Sequence, residues 1–344
     1  MYTLVHNVQL NLMKGGIYMI YINNTNTNPY FNMAVEEYIL KEFKEDCFML
    51  WRNQPCIIVG KNQNTISEIN LDYIKENNIP VIRRLSGGGT VFHDLGNLNF
   101  TFIKKDSEAN FNNFRKFTLP ILNVLTSLNI NAEFSGRNDL TIDGKKFSGN
   151  AQYNYKNRVL HHGTLLFSSN ITDLSKALQA KPLKFQDKSI KSVSSRVTNI
   201  SSHLNKPLSI LEFEDLIKNY VITENSSDCL YDFTNQDLNS INKLAKEKYS
   251  TWKWNFGNSP KYNFTNEKRF SFGTIECSMQ VQHGIIKDIS IYGDFFSKLD
   301  ISDIEAKLIG VNHVESDIKS ALSTFNISDY FSNAIIDDVL SCLI

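Results

Sequence analysis

The sequence has no C-x-x-C pair, no long apolar run and no net charge, and each absence removes a class of function. Its five cysteines (Cys47, Cys56, Cys229, Cys277 and Cys342) are odd in number and widely spread, which argues against a disulfide framework and a zinc site and points to a reducing compartment. No stretch approaches the roughly 20 apolar residues of a membrane span. Residues 1–18 carry no apolar run of signal-peptide length followed by a small-residue cleavage site, so a cytoplasmic protein with no membrane attachment is expected. Lys+Arg and Asp+Glu both number 36, so no global field directs the chain to nucleic acid or to an anionic membrane. Any phosphate chemistry has to be local.

What is present is an ordinary globular composition, 42% apolar and 12% aromatic over 344 residues, long enough for two domains of roughly 100–200 residues. Residues 1–18 precede the first clear element and are expected to be either a poorly ordered extension or a mis-assigned start. NPYFNMAVEEYILKEF from Asn28 predicts a helix: Asn28 can cap it, Pro29 suits the first turn, and Phe31, Ala34, Val35, Tyr38, Ile39 and Phe43 form an apolar stripe. CFMLWRNQPCIIVG predicts two short strands about a proline-containing turn, and PVIRRL a third. A helix is expected over Phe114–Ile130, and a hairpin in GRNDLTIDGKKFSGNAQYNY, because Asp143-Gly144 suits a tight primed turn. RVLHHGTLLF predicts a further strand, residues 181–196 a basic loop, and the region after residue 260 alternating strands followed by two helical stretches.

The segment RRLSGGGTVFHD, Arg83 to Asp94, sets two arginines and a histidine beside three consecutive glycines. Glycines let the backbone approach an anion and aim N–H groups at it, while arginine adds fixed charge. The plainer alternative is a glycine-rich turn with solvated arginines, and both stay open on these residues alone. The flanking segments predict strands on both sides, and neither a Walker loop, G-x-x-x-x-G-K-[ST], nor a dinucleotide fingerprint, G-x-G-x-x-G, is present.

Five segments taken in order, RRLSGGGTVFHD, GRNDLTIDGKKFSGNA, HHGTLLF, SVSSRVTN and WKWNFG, resemble the signature blocks of the lipoate–protein ligases. KRFSFGTIECSMQVQHGIIKDISIYGDFF extends the resemblance into that family's small carboxy-terminal domain. The resemblance implies an α+β fold shared with biotin protein ligases: a mixed β-sheet flanked by helices in a catalytic domain (19–260), with a smaller α+β accessory domain (261–344). It also implies a two-step reaction. Lipoate and ATP, with Mg²⁺, give lipoyl-AMP and pyrophosphate; the lipoyl group then moves to a lysine of a lipoyl-domain carrier, either the glycine-cleavage H protein or the acyltransferase subunit of a 2-oxoacid dehydrogenase. The enzyme would act as a monomer.

On that resemblance Lys146, in K-x-S-G-x-A, would be the catalytic lysine touching both the lipoate carboxyl and the α-phosphate. Its neighbour Lys145 would point to the other face of the strand. Arg84 would contact the nucleotide, Gly89, Thr90, Val91 and Phe92 would lie along it, and Gly87 and Gly88 would admit the acyl chain. Asn138 and Asp139 would bind the adenylate, with Asp139 also a ligand of Mg²⁺, which favours one or two carboxylates and keeps waters. Gly149, Ala151, His162 and Thr164 complete the implied site. His93 is either a satisfied hydrogen-bonding histidine or a base, and Arg83 either a contact or a structural ion-pair partner. Trp252 and Trp254 are expected to pack between domains, and the 181–196 loop to close over the adenylate. Four buried methylenes of lipoate would contribute about 3 kcal/mol, so discrimination against octanoate should be modest. The alternatives are an ATP-independent octanoyl or lipoyl transferase of the same fold, which needs a reactive thiol where none lies between Cys56 and Cys229, a biotin protein ligase, whose G-R-G-R loop is missing, and a binding protein without chemistry.

Overall fold

The computed structural model describes residues 19–63, 65–105, 107–178, 196–225, 230–256, 264–282 and 285–344. The strands are β1 (Met19–Asn23), β2 (Asp46–Trp51), β3 (Cys56–Val59), β4 (Val81–Arg83), β5 (Val91–His93), β6 (Asn97–Lys105), β7 (Ala132–Ser135), β8 (Asp139–Ile142), β9 (Lys145–Tyr155), β10 (Arg158–Leu166), β11 (Leu230–Asp232), β12 (Phe264–Phe270), β13 (Gly273–Gln282) and β14 (Ile285–Gly293). Of the described residues, 19–55, 93–171 and 196–247 form one compact unit, and 56–92, 172–178 and 248–344 form another.

The first unit is built on an eight-stranded sheet in the order β11-β1-β2-β6-β10-β9-β8-β7. The β11-β1-β2 pairs are parallel and the others antiparallel, so the sheet is mixed. Helix α1 (Pro29–Glu42) starts where its residues dictate: the Asn28 side chain accepts from the Tyr30 and Phe31 amides, and Pro29 occupies the first turn. At its other end the half-buried guanidinium of Arg158 donates to the carbonyls of Ile39, Leu40, Phe43 and Glu45, closing the carbonyls that a helix end leaves open. Helices α2 (Phe114–Ser127) and α3 (Ile210–Glu224) cover the opposite sheet face. There Phe48, Phe100, Phe102, Phe117, Phe147, Phe167 and Phe213 form the core, each ring contributing about 1.5–3 kcal/mol on burial. Alternation along β6 sends Phe100 and Phe102 to this core and Asn99 and Thr101 to the α1 side. That polar row on the α1 side is where the candidate site begins.

The second unit holds two three-stranded sheets, β4-β3-β5 and β12-β13-β14. The first part of the unit is organised by Arg83. Its guanidinium donates to the carbonyls of Gly60, Lys61, Gln63, Trp254 and Asn255 and to the Thr65 hydroxyl, while its own amide donates to Asn255 Oδ1 and its carbonyl accepts from the Trp254 indole. Around β12-β13-β14 a separate apolar core gathers Phe272, Ile275, Met279, Phe295, Ile304 and Phe331.

Three expectations are refined. The strands of CFMLWRNQPCIIVG form, but β2 and β3 enter different sheets. The tail is four short helices, α4 (Ser302–Leu308), α5 (Glu315–Leu322), α6 (Ile327–Tyr330) and α7 (Ile336–Leu343), rather than two stretches, because left-handed residues at Gly310 and Asn333 cannot continue a right-handed helix. Trp254 packs within one unit, with Lys248 Nζ 4.0 Å above its ring. Of the basic 181–196 loop, all but Arg196 lies outside the described residues. No helix among the described residues is long and apolar enough to cross a membrane.

Candidate active site

The lysine block folds as a hairpin. Asp143 and Gly144 both take positive φ, +51° and +72°, as a primed two-residue turn requires. The ladder pairs Asp139 with Gly149 and Leu140 with Ser148, then slips to pair Thr141 with Lys146. Phe147 is therefore an extra residue in β9, a bulge of the kind that re-aims a side chain. Lys146 and Gly149 are an odd number of positions apart and would face opposite ways on a regular strand; the bulge returns the lysine to the Gly149 side. There Lys146 Nζ meets Asp139 Oδ1 at 2.8 Å. A Cβ on Gly149 would stand 3.0 Å from Lys146 Nζ and 3.1 Å from Cε, so the lysine lies across the bare backbone of Gly149. The Gly149 amide donates to the Thr164 hydroxyl at 3.2 Å. Asn138 and Asn150 bind each other's backbone carbonyls through their amides, fixing the turn that carries Asp139. The segment after Arg196 joins the same strand, with Thr198 N donating to Lys146 O at 2.9 Å.

On β10 the two histidines separate as alternation demands. His161 enters the core, stacked on Phe117 and bonded to Gln152 and Asn150; burial, with His162 beside it, lowers its pKa well below the histidine range, so it is neutral. His162, paired with Ala151 in the sheet, faces α1, where its Nδ1 lies 2.9 and 3.0 Å from the two Glu36 oxygens. Glu36 also accepts from the Thr101 hydroxyl, which accepts from the Trp51 indole. This buried chain sets the ring plane of His162.

In the second unit, β4 leads into the glycine loop and β5 leaves it. Arg84 is 5% exposed; its guanidinium donates to the carbonyls of Ile58, Gly87 and Gly89 and to the Ser86 hydroxyl. Its charge holds the loop's shape from beneath. A Cβ on Gly87 would come within 2.4 Å of Phe295 O, whereas one on Gly89 would meet nothing within 4 Å; packing requires glycine at the first position and leaves open space at the second. Thr90 Oγ1 donates to Gln63 Oε1 at 2.9 Å, and Val91, Phe92 and His93 form β5.

Lys146, Asp139, Gly149 and Thr164 are thus brought together in the first unit, as are His162 and Ala151 next to them. Arg84, Gly87, Gly88, Gly89 and Thr90 are brought together in the second. Glu36, Thr101 and Trp51, and the buried amides Asn32 and Asn53, escaped the sequence reading. The usable signal was Asn32 and Glu36, spaced i, i+4 beside the apolar residues of α1 and both buried, because a polar pair at that spacing shares one helix face. Among the described residues no group of three His, Cys, Asp or Glu side chains is arranged to hold a metal.

Comparison with known proteins matches residues 28–222 to the lipoyl protein ligase A/B catalytic domain and residues 259–343 to the bacterial lipoate protein ligase C-terminus. The chain is 44% identical to the lipoate-protein ligase LplJ of Bacillus subtilis, over 94% of this chain and 100% of that one. Among solved structures, Plasmodium falciparum LipL1 in complex with lipoate superposes with a TM-score of 0.77 at 30% identity, covering 94% of this chain and 98% of that one. A lipoate-protein ligase A bound with ATP superposes with a TM-score of 0.60 at 25% identity, covering 70% and 99%.

Proposed function

The chain belongs to the lipoate–protein ligases, and from that premise we propose how its residues activate free lipoate with ATP and pass the lipoyl group to a lysine of a lipoyl-domain carrier. The observation that carries the assignment of roles is Lys146, laid over Gly149 and held by Asp139 at 2.8 Å. In the first step a lipoate carboxylate oxygen bonds to the α-phosphorus while the bond to pyrophosphate breaks, the electron pair leaving with pyrophosphate. Two anions must meet, so a fixed cation at the meeting point lowers the barrier more than a base would. Lys146 is that cation. Its resting partner Asp139 holds the ammonium in place at 2.8 Å and then exchanges it for substrate oxygens. In the second step the carrier amine attacks the acyl carbonyl and AMP leaves.

Asp139 is a half-exposed carboxylate, and among the described residues it belongs to no group of three His, Cys, Asp or Glu side chains that could hold a metal, which fits an ion held mainly by phosphate oxygens and water. Mg²⁺, bound there with ATP, would neutralise phosphate charge. Arg84 supports the glycine loop, whose Gly89, Thr90, Val91 and Phe92 backbone is offered to the nucleotide. Relatives solved with lipoate and with ATP support both substrates. The same reading assigns catalysis to residues 19–260 and an accessory role to 261–344, and makes the protein a cytoplasmic monomer acting on H protein or on acyltransferase subunits. Transfer through a cysteine thioester is disfavoured among the described residues: the cysteines there, Cys47, Cys56, Cys277 and Cys342, are all buried, and burial pushes the Cys47 thiol up to about 12, far from a reactive thiolate.

Mass spectrometry of apo H protein incubated with the protein, lipoic acid and Mg²⁺ tests the reading. A lipoyl mass gain on one carrier lysine that requires ATP is expected; transfer without ATP from an already acylated carrier would reject it. Gly149→Ala tests the geometry. A Cβ at 3.0 Å from Nζ makes the lysine tip give by a few tenths of an ångström, so the rate of lipoyl-adenylate formation should fall by several-fold with the melting temperature little changed. An unaltered rate would show that the lysine does not work from this position.

A further inference from the structure

The second unit carries two thiols that the proposed reaction does not use. Cys277 lies on β13 and Cys342 in the last turn of α7, both completely buried in the apolar core of that unit, and their sulfurs stand 4.0 Å apart. Cys277 Sγ donates to the Cys342 carbonyl at 2.9 Å. Cys342 Sγ reaches the carbonyls of Ile275 at 3.4 Å and of Asn266 at 3.7 Å, Asn266 being the β12 residue paired with Cys277 in the sheet. A disulfide needs about 2.05 Å between sulfurs, so about 2 Å remains to be closed between side chains that each reach the main chain around the other. Among the described residues the two belong to no group of three His, Cys, Asp or Glu side chains that could hold a metal, so the chemistry the pair offers is redox.

The end of α7 that carries Cys342 is also where this core opens most readily. Its last carbonyls have no partner within the helix: those of Cys342 and Ile344 are held by the Asn266 amide, that of Leu343 by His313 Nε2 at 2.7 Å, and Ile344 is 46% exposed. Release of those two side chains frees the last turn and admits a small oxidant. The Cys277 thiol beside it lowers the pKa of Cys342, which makes Cys342 the thiolate of the pair.

We propose that Cys277 and Cys342 are a redox-sensitive pair, oxidised by hydrogen peroxide to a disulfide that fastens α7 to β13. The Cys342 thiolate attacks one peroxide oxygen, the O–O bond breaks with its electron pair leaving as hydroxide, and a sulfenic acid forms. Cys277 sulfur then attacks the sulfenic sulfur, the S–O bond breaks, and the oxygen leaves as water with the Cys277 proton. Two thiols give up two electrons and two protons, and one peroxide becomes two waters. In a reducing compartment such a bond is transient, and a dithiol reverses it by exchange, becoming a disulfide itself.

Peptide mapping without reduction tests this on the full-length protein, treated with hydrogen peroxide and then denatured in the presence of an alkylating agent. A peptide joining Cys277 to Cys342, two hydrogens lighter than the sum of its parts and lost on treatment with dithiothreitol, is expected. Because the bridge joins positions 65 apart in the chain and so restricts the unfolded state, the oxidised protein should melt several degrees higher than the reduced one. Cys342→Ala should give neither the linked peptide nor the shift. Both cysteines still open to alkylation after treatment, each oxidised separately to a sulfinic acid, or a bond from either one to Cys229 would overturn the proposal. An oxidised protein that melts no higher than the reduced one would show that the bond fastens nothing. No step of catalysis enters these measurements, so their outcome is independent of the ligase reading.

Discussion

Lys146→Ala should lower the rate of lipoyl-adenylate formation by about 10²–10³-fold and leave the fold intact. The two halves of this expectation rest on different observations. The Lys146–Asp139 pair is 41% and 36% exposed at its two side chains, and exposed pairs contribute about 0–1 kcal/mol, so removing the lysine leaves Asp139 hydrated rather than stranded. Neither partner belongs to the phenylalanine-rich core of the large sheet. The reaction, by contrast, brings a carboxylate to a phosphate, and loss of a cation aimed at that meeting should cost on the order of 10²–10³ in rate, or about 3–4 kcal/mol of transition-state stabilisation. Lipoate-dependent exchange of labelled pyrophosphate into ATP measures the first step alone. A variant that exchanged at the wild-type rate would remove Lys146 from its role, and one that failed to fold would mean the lysine contributes far more to stability than an exposed pair can.

Arg83→Ala should have the largest effect on stability, a loss of about 3–5 kcal/mol in the second unit. The guanidinium is bonded to five carbonyl oxygens and one hydroxyl drawn from residues 60–65 and 254–255. Burial lowers its pKa to about 10, which still leaves it fully charged at neutral pH. Removing it strands several buried carbonyls at once, the situation in which the desolvation cost of each acceptor is felt. Arg83→Lys should recover only part of the loss, because an ammonium lacks the planar fork that reaches acceptors on two sides. Urea denaturation followed by tryptophan fluorescence is well suited to this, since the Trp254 indole itself donates to the Arg83 carbonyl. A midpoint equal to that of the wild-type protein would show that the bonds are replaced by water at no cost.

Several elements are legible in the sequence because their causes are local. Asn28 and Pro29 start α1 through contacts within three residues. Asp143-Gly144 makes its turn because those two residues tolerate left-handed backbone. The strands on either side of the glycines follow from short β-type runs, and the separation of His161 from His162 follows from the two-residue period of a strand. The bulge at Phe147 was not legible, since it changes the face of Lys146 through a slip in pairing with β8 that no property of β9 announces. Nor were the two arginines distinguishable: Arg83 finds acceptors 172 positions away in Asn255, while Arg84 folds back on its own loop.

The sequence by itself determined the local elements, the chemistry available and the family signature, because caps, turns and strand alternation are set by neighbours in the chain and signature residues are read where they stand. Only the tertiary structure decided how Lys146 is aimed and which acceptors Arg83 and Arg84 hold. Those properties depend on hydrogen-bond partners brought from distant segments, and the identity of a partner, unlike the propensity of a residue, is fixed only when the chain has closed on itself.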